Sequence, residues 1–230
     1  VGSKRIITID GPAGAGKSTV GRRLAQSLGY LYLDSGALYR AVAWQARRLG
    51  LHLNDPGAVD AFLPGFQPEI RADGSGFNLL IDGRKVAEEL RTPEVSRDSS
   101  VVARLTAVRR WVKEHLRWLA RNGGVVADGR DQGTAVFPEA SFKFYLDAAL
   151  ATRAARRQGD WQRDGDPPPL KAVMADLARR DRQDETRSEA PLQVPPDAMV
   201  IDTTDLNIEE VVQQCLARIG QLDHKPSKPV

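Results

Sequence analysis

A single cysteine, Cys215, stands among 230 residues. That excludes an internal disulfide framework and any all-cysteine zinc site. The three histidines, His52, His115 and His224, are scattered, with none four residues from another, so a histidine-rich metal site is not expected. No run of about 18 apolar residues is present, which argues against a transmembrane helix. The opening VGSKRIITID lacks the apolar core of a signal peptide and reads better as a buried strand, so the expected address is the cytoplasm. A strong charge of one sign is also missing: 33 basic and 30 acidic residues leave +3. A polynucleotide-binding surface would need a lopsided basic excess. Here acids interleave with the cations, so a small phosphorylated ligand fits at least as well as a polynucleotide; on the whole reading, no polynucleotide or membrane partner is expected. With 41% apolar and 27% charged residues the composition is ordinary. The length suits one large domain, or one domain carrying insertions.

What the chain does have is arginine. Only 8 of its 33 cations are lysine, so 25 are arginine. The planar guanidinium is the better fork for phosphate and carboxylate oxygens, although a GC-rich genome or a thermophile shows the same bias. Short apolar runs alternate with helical spacing. Strands are expected at Arg5–Ile9, Tyr30–Leu33, Val125–Ala127, Phe142–Leu146 and Ala198–Ile201. Helices are expected at Ser18–Leu28, Ala37–Leu49 and Ile208–Ile219. That alternation predicts an α/β fold with a five-stranded parallel sheet flanked by helices.

Two stretches break the rhythm. Phe66–Val86 carries two Asp-Gly pairs between short alternating segments, which reads as antiparallel hairpins inside an insertion spanning about 61–102. Gln158–Pro169 is polar and rich in Gly and Pro, and reads as a mobile loop. The tail 221–230, with two prolines and no apolar pattern, is expected to be disordered.

The sharpest motif is Gly11-Pro12-Ala13-Gly14-Ala15-Gly16-Lys17-Ser18-Thr19, which fits G-x-x-x-x-G-K-[ST]. Glycines let successive backbone N–H groups curl around phosphate oxygens, and the following helix N-terminus adds positive potential. Lys17 reaches the outer phosphates and the Ser18 hydroxyl suits Mg²⁺. The motif follows an apolar strand and opens a helical pattern, as its geometry demands. GTPases, motor ATPases and small-molecule kinases all use it, so the choice falls to the arginine clusters.

Four such clusters follow. In Leu33-Asp34-Ser35-Gly36-Ala37-Leu38-Tyr39-Arg40, Ser35 is either a helix N-cap or, with Arg40, part of an anion site. Asp128-Gly129-Arg130-Asp131-Gln132 lies just past a strand end, where open parallel sheets bind ligands. There Asp128 suits Mg²⁺ through a water, Arg130 suits phosphates and Asp131 suits a ligand amine. Otherwise Arg130 and Asp131 form a local pair in a charged turn. Arg153, Arg156 and Arg157 share a helix face, as do Arg180, Asp184 and Arg187. Each set reads either as ligand-binding or as a solvated salt-bridge ladder. Cys215 is expected in the core, and Trp111 and Trp118, seven apart on one helix, are expected to pack.

Together the segments ITIDGPAGAGKST, YLDSGALYRA, IRTPEVSRDSSVVA, VADGRDQGTAVFPEA, KFYLDA and RRDRQDETRSEAPL give the chain a strong resemblance to the bacterial cytidylate kinases, from about Ile6 to Gly220. The resemblance implies a P-loop NTPase fold with a monophosphate-binding insertion and a mobile lid at 153–170. It implies a monomer with ATP and CMP or dCMP as substrates and Mg²⁺ as cofactor. It implies that Ser35, Arg40 and Arg130 hold the CMP phosphate, and that Ser100, Arg109 and Asp131 read cytosine. Arg180, Asp184 and Arg187 would hold the sugar and nearby phosphate, with Tyr39 lining the pocket. Lys17, Arg130, Arg153 and Arg157 would carry the transfer. Two residues depart from the family pattern: Gln183 stands where Arg is usual, and Gln132 where Met is usual. The stretch 158–169 is more proline-rich than usual.

Phosphoryl transfer needs positioning and charge stabilisation more than covalent help, which accounts for the missing catalytic histidine. The rivals are a kinase for UMP, AMP or shikimate, and a nucleotide-dependent regulatory or nucleic-acid-binding module. The last predicts salt-dependent polynucleotide binding and no acceptor-dependent ADP release.

Overall fold

The computed structural model describes residues 5–72, 76–162 and 168–223. In chain order the elements are β1 (Ile6–Asp10), α1 (Lys17–Leu28), β2 (Leu31–Asp34), α2 (Ser35–Arg48), α3 (Pro56–Phe62), β3 (Glu69–Ala72), β4 (Phe77–Ile81) and β5 (Arg84–Val86). There follow α4 (Pro93–Val102), α5 (Thr106–Leu119), β6 (Val125–Asp128), β7 (Phe142–Asp147), α6 (Leu150–Gln162), α7 (Leu170–Thr186), β8 (Met199–Asp202) and α8 (Ile208–Asp223). All five strands expected for the parallel sheet are present, each ending one residue later than its apolar run. The added residue is Asp in every case: Asp10, Asp34, Asp128, Asp147 and Asp202.

The strand order is β2-β6-β1-β7-β8, parallel throughout. Parallel strands need helical crossovers, and these cover both faces. Val125 and Ala127 face the layer of α2, α4 and α5, while Val126 between them faces the layer of α1 and α8. That period of two explains the unbroken apolar runs: both faces are core. Cys215 is fully buried in the second layer, as expected. Trp111 packs on Phe66 with ring centroids 5.4 Å apart. Trp118 does not pack: it is 55% exposed, with Arg121 over its ring.

The Phe66–Val86 stretch forms a separate antiparallel sheet, β3-β4-β5. Asp82 and Gly83 both take positive φ, 53° and 74°, the two-residue turn that matches the twist of a hairpin. The other Asp-Gly pair, 73–74, lies outside the described residues. Two expectations about irregular segments change. Residues 158–162 continue α6, so the polar stretch begins as helix, while 163–167 of the supposed lid lie outside the described residues. The last helix runs to Asp223, so 221–223 of the supposed tail are helical, and 224–230 lie outside the described residues. Among the described residues no helix is long and apolar enough to cross a membrane.

Candidate active site

The carboxyl ends of β1, β2 and β6 open onto a cleft of about 1000 Å³. Its floor is the loop between β1 and α1. Gly11 has φ +143°, and a Cβ there would sit 2.0 Å from the Leu146 carbonyl oxygen, so no other residue fits. Gly16, at φ +88°, starts α1 and leaves the first N–H groups of that helix without a side-chain cap, facing the cleft. Lys17 is buried and donates to the Pro12 carbonyl at 2.6 Å. Burial, then the nearby Arg130, lowers its pKa to about 7, although Asp128, Asp10 and Asp184 pull the other way.

Asp128, at the end of β6, accepts from Ser18 Oγ at 2.9 Å and from the Tyr32 hydroxyl at 3.0 Å. Burial, then the neighbouring Asp34, raises its pKa to about 6. Among the described residues no cluster of three or more His, Cys, Asp or Glu side chains makes a metal site. A hydroxyl and a carboxylate side by side are hard oxygen donors, and they suit Mg²⁺, which keeps several waters and takes its other ligands from phosphates.

Ser35 is not the cap of α2. Asp34 is: its Oδ1 accepts the Ala37 N–H at 3.0 Å, and its Oδ2 accepts from Arg40 at 2.9 Å. Against the cost of burial, Arg40 and that N–H hold Asp34 below the ordinary carboxylate range. Ser35 Oγ instead donates to the Asp128 carbonyl at 2.7 Å, tying α2 to β6 across the cleft floor. Asp10, fully buried, plays a similar part. It accepts the N–H groups of Gln132 and Gly133 at 2.8 and 2.7 Å and so shapes the turn that carries Arg130 and Asp131. Burial raises its pKa to about 7, offset by those two bonds. Sequence reasoning missed Asp10 and Asp34; the strand-ending aspartates were the available signal.

Arg130 and Asp131 do not pair with each other. Arg130 Nε donates to Asp184 at 2.9 Å, and Asp131 is buried against Arg109, bonded through Oδ2. The other Asp131 oxygen meets Gln132 Nε2 at 3.4 Å and Arg187 at 3.9 Å. Arg180, Asp184 and Arg187 all line the cleft, but they do not share one helix face: Arg180 and Asp184 lie on α7, whereas Arg187 follows its last residue in extended backbone, 3.6 Å from Asp184. Ser100 and Tyr39 line it as well, beside Ser96 and Ser99, which the sequence did not single out. Burial, then like charge, lowers the pKa of Arg180 and Arg187, and burial lowers that of Arg157. A guanidinium keeps its proton regardless. The shifts reflect first the burial of these guanidinium groups and, for Arg180 and Arg187, then their crowding by other cations. Among the described residues, Arg40 Nε and Arg187 Nη2 find no hydrogen-bond partner.

Two expected residues lie behind the wall. Arg109 does not line the cleft and touches it through Asp131 and the Ala103 carbonyl. Arg153 does not line it either, being bound to Asp181 and to main-chain carbonyls. Arg156 does line it and binds the Thr203 hydroxyl and carbonyl. The phosphate-loop motif thus faces a wall of cations that carries two buried carboxylates, Asp128 and Asp131.

The cytidylate kinase family model matches residues 7–221. The chain belongs to the cytidylate kinase family. A cytidylate kinase from Symbiobacterium thermophilum is 45% identical over 212 residues, 92% of this chain and 94% of that protein. One from Geobacillus kaustophilus is 41% identical over 215 residues, 94% of this chain and 96% of that protein. A shikimate kinase structure from Bacteroides thetaiotaomicron superposes with a TM-score of 0.50 at 14% identity, covering 94% of this chain and 98% of that one. That likeness concerns the P-loop kinase fold alone. Family membership makes the chain an ATP-dependent phosphotransferase acting on CMP and dCMP.

Proposed function

We propose that the cleft moves the γ-phosphoryl group of ATP to a phosphate oxygen of CMP or dCMP, with the following division of labour. The triphosphate lies on Gly11–Thr19, where backbone N–H groups and Lys17 face its oxygens. Ser18 would ligate Mg²⁺ directly and Asp128 through water; when bound, the ion supplies charge neutralisation between the outer phosphates. Arg40, Arg130 and Ser35 hold the acceptor phosphate, for which Ser35 turns its proton away from the Asp128 carbonyl. Arg180, Asp184 and Arg187 hold the sugar and the phosphates, and Arg157 faces the transferring group from α6.

The attacking oxygen is already an anion near neutral pH. A new P–O bond forms to it as the bond to the β-phosphate oxygen breaks, and ADP leaves with that charge. No proton moves in the transfer, so no general base is required. Lys17 and the arginines stabilise charge spread over the transferring oxygens.

The observation that carries the reading is Asp131. A buried carboxylate fixed by Arg109 accepts from the N4 amino group of cytosine and repels O4 of uracil. Shikimate, which has no base, gives that carboxylate nothing to read. The test is acceptor-dependent ADP formation from Mg·ATP with CMP, dCMP, UMP, AMP and shikimate. Fast release with CMP and dCMP and slow release with the others is expected. Equal rates for CMP and UMP would discard the cytosine argument, and no ADP with any acceptor would discard the kinase reading.

A further inference from the structure

Arg153 and Asp181 form a buried ion pair, Nη1 to Oδ2 at 2.6 Å, between α6 and α7. The pair encloses the phosphate loop at Ala13. Arg153 Nη1 also donates to the Ala13 carbonyl at 3.0 Å, and the Ala13 N–H donates to Asp181 Oδ1 at 3.4 Å. Both main-chain polar groups of one loop residue are therefore held by one ion pair. Arg153 Nε is anchored in turn on the Ala148 carbonyl at 2.9 Å, at the end of β7. Around this joint Ala13, Ala154, Val173 and Leu177 form a small apolar cluster of their own. The next loop residue is Gly14, and a Cβ there would lie 2.9 Å from the Arg153 carbonyl oxygen. Loop and α6 are thus in backbone contact.

The same helix α7 carries the acceptor face. Arg180, Asp184 and Arg187 line the cleft, and Asp181, one residue beyond Arg180, is turned about 100° around the helix onto the loop. A carboxylate beside a phosphate loop would repel phosphate unless neutralised, and Arg153 neutralises it. With its Nε and Nη1 donating to Ala148, Ala13 and Asp181, and with no place in the cleft lining, Arg153 is not the counterpart of Arg157, one turn later, which does line the cleft.

We propose that Arg153 and Asp181 are positioning residues that lock the acceptor-binding helix to the phosphate loop, so that each nucleotide helps order the site of the other. A triphosphate that fixes Ala13 fixes Asp181, and with it the row Arg180–Asp184–Arg187. The inference rests on the kinase reading above and adds a coupling between its two substrates. A purely stabilising pair would make no such link, and buried pairs often add little net stability.

The experiment is calorimetric titration of the full chain with CMP, in the presence and absence of Mg²⁺ and a non-hydrolysable ATP analogue. The wild type is expected to bind CMP about fivefold or more tightly when the analogue is bound. In Asp181→Asn that factor falls to within about twofold of one, while the affinity for each nucleotide alone moves by about threefold or less. Should Asp181→Asn fail to fold, the double variant Arg153→Met/Asp181→Leu removes both charges at similar volume. Its thermal melt reports the fold independently, and the same loss of coupling is expected. Wild-type coupling of one, or full coupling retained in the double variant, overturns the proposal. Absence of CMP binding in the wild type would instead defeat the kinase reading, so the two failures are distinguishable.

Discussion

The two halves of the cleft offer different means of holding phosphate. The donor half is mainly backbone: a loop curled by glycines, the open N-terminus of α1, and one lysine. The acceptor half is side chains, with Arg40 on Asp34, Arg130 on Asp184 and Arg109 on Asp131. A triphosphate is the same whatever base it carries, so main-chain donors suffice to hold it. An acceptor must be distinguished from its relatives, and that takes side chains of both signs. Buried arginines then need carboxylates to hold them when the site is empty. The comparison predicts that damage on the donor side falls on rate, while damage on the acceptor side falls on selectivity and acceptor affinity.

The largest effect should come from Lys17→Met. It removes the buried lysine of the loop, which would leave the Pro12 carbonyl to meet the transferring oxygens, and should lower kcat by about a thousandfold. The melting temperature should hold or rise, because a buried cation crowded by Arg130 is gone. A single-turnover assay beside a thermal melt checks both, and an unchanged rate would break the comparison at its donor end.

A smaller effect concerns pH. With its pKa lowered to about 7, Lys17 of the free enzyme sheds its proton as pH rises through neutrality. Bound triphosphate favours the protonated form. Binding of ATP should therefore take up protons above pH 7, and affinity should fall as pH rises, by at most about tenfold per unit. Titration in buffers of different ionisation enthalpy reads the uptake directly, and a buffer-independent heat would contradict it. CMP binding, away from Lys17, should show less of this.

The smallest belongs to Thr92, whose Oγ1 caps α4 through the Val95 N–H at 3.2 Å. Thr92→Ala should cost about 1 kcal/mol in denaturant unfolding. Because α4 carries Ser96, Ser99 and Ser100 into the acceptor half, KM for CMP should rise with kcat kept. A fall in kcat alone would blur the distinction between the halves.

Much of this was legible before folding was considered, and the reasons are local. A parallel strand buried on both faces is an apolar run, so the inner strands stood out, and β8 at the sheet edge kept an apolar run even with Val200 exposed. A phosphate loop is a contiguous motif, and Arg180 and Asp184, four apart on α7, reach the cleft together, whereas Arg187, expected on the same helix face, follows the helix end in extended backbone. What escaped was non-local. Arg153 looks like Arg157 on a helical wheel; only the approach of Ala13 and Asp181 separates them. Arg130 and Asp131 look like a pair because they are adjacent, yet their partners are Asp184 and Arg109. The beginning of Gln158–Pro169 was misread because polar composition suggested a loop where α6 continues with one face toward the cleft at Gly159 and Asp160. Asp34 displaced Ser35 as the cap of α2 because Ser35 had a carbonyl to bind across the sheet.

The most direct test of the account is the ratio of kcat/KM for CMP to that for UMP, in the wild type and in Asp131→Asn. The substitution keeps the shape beside Arg109 and replaces an oxygen acceptor with an amide donor that suits uracil O4. The account predicts a wild-type preference for CMP that shrinks by about tenfold to a hundredfold, the cost of one mispaired buried polar group. Parallel losses for CMP and UMP with the ratio intact would contradict it.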